Sequence, residues 1–419
     1  MSRKAAGFAL ALVITLATAF VAGAAQPQTN AANDAVDYIL ALQNDDGGFP
    51  SFGSNSDMSG TLDATFALAA AGVDFDGVET NGNTVLDYIE SQHAAYAVNT
   101  GHTAKLVLGL IVAGENPQNF DGVNYVAQME SYFNIATGAY GDSSFDHAVY
   151  MLARDGLDES PAAGSVAFLR SKQLGNGGWE YGDTWGADTN TTAVAIQALI
   201  DSGVDEDDEA IQDALDYLAA AQNADAGFPY TPGTAFSDSD ANSTAFVIQA
   251  LVAAHENIDA GGPWEKSGTT PMEALLSFQN PNGAFAYMQV PDDNGGNDDS
   301  NAYATYQAVP ALLLSTYAEP AEATATPRPS RTPTESPDGT ITATPTTAPA
   351  ATSTPVVTEL PQLVAPASTP SSAALPLLLP SSGSGGADGG SAAIVATIAL
   401  LASGTLAGGA LMLRRARRA

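Results

Sequence analysis

The chain has 419 residues, no cysteine, 13 basic and 47 acidic residues, and a net charge of −34. Without cysteine it has no disulfide, no thiolate nucleophile and no thiolate metal ligand. Six of the basic residues lie at the two ends and all the acidic ones between them, so the intervening chain carries −40 and repels nucleic acid and anionic lipid.

The N-terminus reads as a secretory signal peptide over residues 1–25. Arg3 and Lys4 precede an apolar run from Ala5 to Val21 and the small residues Ala22-Gly23-Ala24-Ala25. From Gln26 to Ala318 the chain repeats six times. Each unit holds an amphipathic run, a Gly-rich aromatic loop and a second, almost wholly apolar run. The first runs include VDYILALQ, VLDYIESQ, YVAQMESY, VAFLRSKQ, ALDYLAAAQ and ALLSFQ; the second include TLDATFALAAAG, TTAVAIQALIDSG and STAFVIQALVAA. In the fifth unit Ile211, Ala214, Leu215 and Leu218 fall at helical spacing and leave Gln212, Asp213 and Asp216 on the other side. The helix over 244–254 is apolar nearly all round and must be buried on every side. Half-wet helices alternating with buried ones predict two concentric layers. The fold class is all-α: an α/α toroid of six helix pairs with an inner and an outer ring over 26–318, preferred to an open solenoid because Tyr303 to Leu314 shows no polar capping repeat.

Residues 319–390 hold 13 of the 24 prolines among Thr, Ser and Ala, and predict a disordered stalk. Residues 391–413 predict one transmembrane helix, since Ala392 to Leu413 carries no charge over 22 residues, a length that spans roughly 30 Å. The basic tail 414–419 then lies in the cytoplasm. This arrangement predicts a single-pass cell-membrane protein with an extracellular N-terminal domain. LPSSG at 379–383 is similar to a sortase signal, with serine where that signal has threonine, and supplies the alternative of attachment to the cell wall.

The loops resemble those of the prenyltransferase and squalene-cyclase repeat superfamily. The glutamine-tryptophan motif matches at Gln173 to Trp179, at Gln43 to Phe49 and at Gln222 to Phe228, and more loosely at Gln279 to Phe285. The resemblance covers about 290 residues and implies that these glutamines and aromatics brace one helix pair against the next. It also implies where chemistry would lie. Class II terpene cyclases protonate their substrate with the central aspartate of a DxDD motif placed just before an inner helix. Asp188-Thr189-Asn190-Thr191, Asp240-Ala241-Asn242-Ser243 and Asp299-Ser300-Asn301 occupy the matching positions, and each has asparagine where the acid belongs. The literal DxDD at Asp205 to Asp208 precedes an outer helix, where acidic residues favour the helix dipole. The zinc of protein prenyltransferases and the thioester of related toroids both need cysteine. His93, His102, His147 and His255 occur singly, without ligand spacing. The Asp-x-Asn-[Ser/Thr] phrases read first as helix caps, with Asn190-Thr191-Thr192 and Asn242-Ser243-Thr244 as the helix starts.

In a toroid the inner helices start at one end of the ring. That gathers Asp188, Asp238, Asp240, Asp298 and Asp299 at one mouth, with Trp185, Tyr230 and Tyr287 beside them. Trp185, Asp188, Tyr230, Asp240 and Tyr287 are the candidate ligand-binding residues. Asp298 and Asp299, in the loop PDDNGGNDDSN, are the candidate metal ligands; no cofactor is expected, and calcium is the one metal the sequence admits. The leading reading is a membrane-anchored surface protein that binds a small molecule, a glycan or another surface protein without catalysis. The alternative is an enzyme, either of the terpenoid cyclase or prenyltransferase type or a carbohydrate-active α/α barrel with Asp188 and Asp240 as the carboxylate pair. A purely structural spacer is a third reading.

Overall fold

A computed structural model of the protein describes residues 27–182, 185–289 and 300–317. The expected signal peptide, stalk, membrane helix and basic tail, and Asp298 and Asp299 with most of their loop, lie outside the described residues. Among the described residues no helix is long and apolar enough to cross a membrane.

Twelve α-helices make up the described fold. The outer ones are α1 (Pro27–Ala41), α3 (Val85–Tyr96), α5 (Tyr125–Ser131), α7 (Ser165–Ser171), α9 (Glu209–Ala221) and α11 (Pro271–Leu276). The inner ones are α2 (Met58–Ala70), α4 (Thr100–Val112), α6 (Ser144–Asp155), α8 (Thr189–Asp201), α10 (Ala241–Ala253) and α12 (Ala302–Leu312). Each inner helix packs on the next around the ring, and α12 returns to α2, so the inner ring is closed. Each later outer helix packs on the inner helix before it, and α1 completes the outer ring by packing on α12. The burial contrast follows the sequence pattern. In α10 only Val252 escapes full burial, whereas α9 buries Ile211, Ala214, Leu215 and Leu218 and turns Gln212, Asp213 and Asp216 to water. Two short antiparallel pairs, Glu79–Thr80 with Asn83–Thr84 and Phe133–Asn134 with Ala139–Tyr140, are the strand content of the described residues.

The glutamine-aromatic loops hold neighbouring units together by a repeated set of hydrogen bonds. Gln173 Nε2 donates to Gly177 O in its own loop and to Ala210 O in the first turn of α9, each at 2.8 Å. Gln43 and Gln222 do the same toward Val78 and Trp264. Gln279 donates to Gly283 O and, at 2.8 Å, to Ala31 O in α1, so the loosest of the sequence matches is the one that closes the ring. Gly177 and Gly283 allow this close approach. Both have positive φ, and a Cβ there would lie 2.1 Å from Asp213 O and 2.2 Å from Asp34 O respectively. The loop aromatic follows: Trp179 is fully buried, and its indole Nε1 donates to Leu169 O at 2.7 Å.

Candidate functional site

Six inner helices begin at one face of the ring, and each begins the same way. The N-caps are Asp57, Asn99, Ser143, Asp188, Asp240 and Asn301, and each side chain accepts from the backbone N–H three residues on. Four residues after five of these caps stands a threonine. The hydroxyls of Thr61, Thr103, Thr192 and Thr305 return to the cap carbonyl, and in four units the threonine accepts the N–H of the loop aromatic: Phe49, Trp179, Phe228 and Phe285. In the third unit His147 takes the threonine's place. Its Nδ1 accepts from Tyr140 N and its Nε2 donates to Ser165 O, which fixes the tautomer, and burial pushes the imidazole down to about 4.

The capping phrases are therefore real, with a shift of one role. Asp188 and Asp240 are the caps, while Asn190 and Asn242 are the second residues of their helices. An aspartate wins the cap because its short carboxylate reaches the free donors of the first turn without straining the extended cap backbone. Thr191 N lies 2.7 Å from Asp188 Oδ1 and Ser243 N lies 2.8 Å from Asp240 Oδ1. Tyr181 N and Tyr230 N also donate to these two carboxyls. The first N–H groups of α6, α8 and α10 donate in turn to the carbonyls of Tyr181, Tyr230 and Tyr287. Asp188 and Asp240 are each only 3% exposed, and burial pushes both carboxyls up to about 7 against the donors that favour the charged form.

Of the predicted mouth residues, the structure brings four together. Tyr230 lies between Asp188 and Asp240 and is influenced by both, and Tyr287 stands beside Asp240. Trp185 is set apart on its loop, 48% exposed. At the literal DxDD, Asp208 caps α9 and pairs with Arg170 at 2.8 Å. Among the described residues no group of three or more His, Asp or Glu side chains is placed to hold a metal.

Sequence reasoning missed the lumen. The second residues of the inner helices are Ser59, Gly101, Phe145, Asn190, Asn242 and Tyr303, and four residues further on stand Asp63, Lys105, Val149, Val194, Phe246 and Gln307. These positions face the ring axis: the Phe145 and Phe246 rings meet at 6.5 Å although α8 separates their helices. Lys105 Nζ lies 2.8 Å from Asp63 Oδ2, with side-chain exposures of 6% and 1%. Gln307 Nε2 adds a long contact to Asp63 Oδ1 at 3.4 Å. Burial raises the Asp63 carboxyl above its ordinary value, and the Lys105 ammonium opposes the shift. A Lys and an Asp six residues past consecutive caps were the available signal, hidden inside runs that otherwise read as core.

Against this geometry, comparison with known proteins gives a consistent class. The squalene-hopene cyclase C-terminal domain model matches residues 143–289, and the prenyltransferase α/α toroid domain model matches residues 5–104. Both are models of α/α toroid families, and the two matches support a likeness to the terpenoid cyclase-like superfamily. Among solved structures it is similar to the type II terpene cyclase MstE from Scytonema, with 16% identity over 68% of this chain and 97% of that one and a TM-score of 0.49. It is also similar to a protein from Actinoplanes, with 13% identity over 68% and 99% and a TM-score of 0.45. Protein geranylgeranyltransferase-I from Candida albicans aligns at 13% identity over 68% and 90%, with a TM-score of 0.45. No curated protein matches the chain in sequence.

Proposed function

We propose that the toroid is a non-catalytic binding or interaction module, displayed outside the cell on the stalk and held by the C-terminal membrane helix. The observation that carries the reading is the pair Asn190 and Asn242. They are lumen-facing at the point where a class II cyclase places its acid, and an amide has no acidic proton to give. Asp63, the carboxyl one turn deeper, is paired with the Lys105 ammonium at 2.8 Å, which opposes the upward push of burial. Asp188 and Asp240, the pair a glycosidase reading would use, spend their oxygens on backbone donors of two units. Incubated with squalene or geranylgeranyl diphosphate, the full chain is expected to yield no cyclised product above a buffer control by gas chromatography and mass spectrometry, the diphosphate being hydrolysed to the alcohol before injection. Protein-dependent cyclic product would establish the enzyme reading in its place.

The placement rests on Arg3 and Lys4 before an apolar run, on the uncharged stretch from Ala392 to Leu413, and on the arginines that follow it. Protease added to intact host cells is expected to release the toroid and leave the basic tail in the membrane fraction. Full protection of the chain would refute surface display. The ligand is of small-molecule, glycan or protein class, and calcium at Asp298 and Asp299 is part of the same proposal.

A further inference from the structure

The ring order α2, α4, α6, α8, α10, α12 sets α2 opposite α8. Tyr317 touches both. Its backbone N–H donates to Gln197 Oε1 on α8 at 2.8 Å, and its ring lies 5.6 Å from that of Phe66 on α2. It also stacks on Phe246 of α10 at 5.7 Å and 24°. A residue that meets opposite walls of a ring lies on its axis. The chain arrives there because α12 stops at Leu312. Leu314 adopts a left-handed φ of 56°, and Leu313 N and Ser315 N both bond back to Pro310 O, which turns the chain under the ring. Tyr317 is left 7% exposed.

Two devices hold it, an aromatic wall and a fixed amide oxygen. Gln197 Nε2 donates to Ala193 O of its own helix at 3.2 Å, which orients Oε1 toward the axis. Gln249 on α10 repeats the arrangement, with Nε2 on Ala245 O at 3.3 Å and Oε1 without a partner in a side chain 1% exposed. Gln249 lies three residues after Phe246 and seven after Asn242, so all three share one helix face, and Phe246 places that face toward Tyr317. Asn242 is 5% exposed, and neither of its amide atoms has a partner. Buried amide groups left unpaired cost about 1–3 kcal/mol each. Two of them beside an aromatic wall, and beside a glutamine that already accepts a backbone N–H, describe a recognition surface rather than inert core.

We propose that the lumen is a binding site for an aromatic side chain carried on a peptide-like amide. Tyr317 occupies it as the chain's own ligand, and Gln197 and Gln249 are its N–H acceptors. An external ligand of this class reaches the site by displacing residues 313–317. The inference extends the non-catalytic reading by naming the ligand.

The test uses the full chain and N-acetyl-L-tyrosinamide, which supplies the ring and the amide N–H. Tyr317→Ala is expected to bind this probe saturably by calorimetry and to melt about 3 °C higher at saturation. The wild type binds it at least about tenfold more weakly, because its own tyrosine competes. Adding Gln197→Met and Gln249→Met to Tyr317→Ala is expected to weaken the probe by about tenfold or more. If Tyr317→Ala does not fold alone, the probe is expected to restore its cooperative melting. A folded Tyr317→Ala that ignores the probe, an unfolded one that the probe fails to rescue, or equal binding by the wild type each overturns the proposal. Cyclised product in the assay above would refute the non-catalytic reading and leave these outcomes standing, and a failure here leaves that reading intact.

Discussion

Replacing Lys105 with methionine is expected to destabilise the toroid by about 3–5 kcal/mol in urea denaturation at neutral pH. Methionine keeps most of the volume, so the loss is electrostatic rather than a cavity. Asp63 Oδ2 loses an ammonium at 2.8 Å, and its side chain, 1% exposed, has no route to water. What stays with it is the long Gln307 contact, too weak to support a buried carboxylate. Replacing both partners, Asp63→Leu with Lys105→Met, is expected to be near neutral or stabilising, because the desolvation of two ions is removed with their attraction. The single variant also gains a steeper pH dependence than the wild type, because the ammonium that opposed the push of burial on Asp63 is gone. Its unpaired carboxyl binds a proton in the native state at a pH where the unfolded chain has already lost it, so the loss shrinks as pH falls and grows as pH rises. A penalty under about 1 kcal/mol for Lys105→Met, flat in pH, would mean that the pair is hydrated and that the lumen is open to solvent.

How much of this was legible in the sequence depends on the kind of signal. The two helix classes follow from periodicity alone: Ile211 to Leu218 marks one wet face, and Thr244 to Ala254 marks none. Closure was inferred from a missing cap and is carried by a specific bond, Gln279 to Ala31, between residues 248 apart. No local pattern announces such a pairing. The capping phrases were legible as caps, yet the cap itself fell on aspartate, because position within Asp-x-Asn-Thr is decided by backbone geometry at a single residue. The lumen was the least legible feature. Asp63, Lys105, Gln197 and Gln249 sit in runs that read as uniform core, and only the ring order tells which residues of a fully buried helix face the axis. Tyr317 lay at the edge of the stalk in composition. Its place on the axis depends on a turn after Leu312 that the apolar run up to Leu314 conceals. The sequence placed Asp188, Asp238, Asp240, Asp298 and Asp299 at one mouth with Trp185, Tyr230 and Tyr287, and the ring order alone put them there. Composition did not say that backbone donors would engage the carboxyls of Asp188 and Asp240.

Those two carboxyls should make the wild type lose stability as the solution turns from mildly acidic to mildly basic. Burial sets Asp188 and Asp240 at about 7 in the folded chain against an ordinary value of 3.8. Between these limits the native state holds protons that the unfolded chain has released, so stability falls as pH rises. The contribution is complete below the ordinary value and is gone above about 7, and it amounts to at most about 4 kcal/mol for each carboxyl. Asp146, pushed by burial to about 6, adds in the same direction. The groups facing the pair are tyrosines: Tyr217 beside Asp188, Tyr287 beside Asp240 and Tyr230 beside both, and burial raises all three phenols, so none titrates within this window. Asn caps a helix as well as Asp does, and its amide matches the neutral acid in shape. The double variant Asp188→Asn with Asp240→Asn is therefore expected to melt close to the wild type at pH 5 and clearly above it at pH 8. A residual slope assignable to Asp146 should persist. Equal slopes for the two proteins between pH 5 and 8 would show that the N–H donors of the first turn outweigh burial and that both aspartates stay charged throughout. In that case the mouth of the ring would carry two fixed negative charges, the electrostatics that a cation requires.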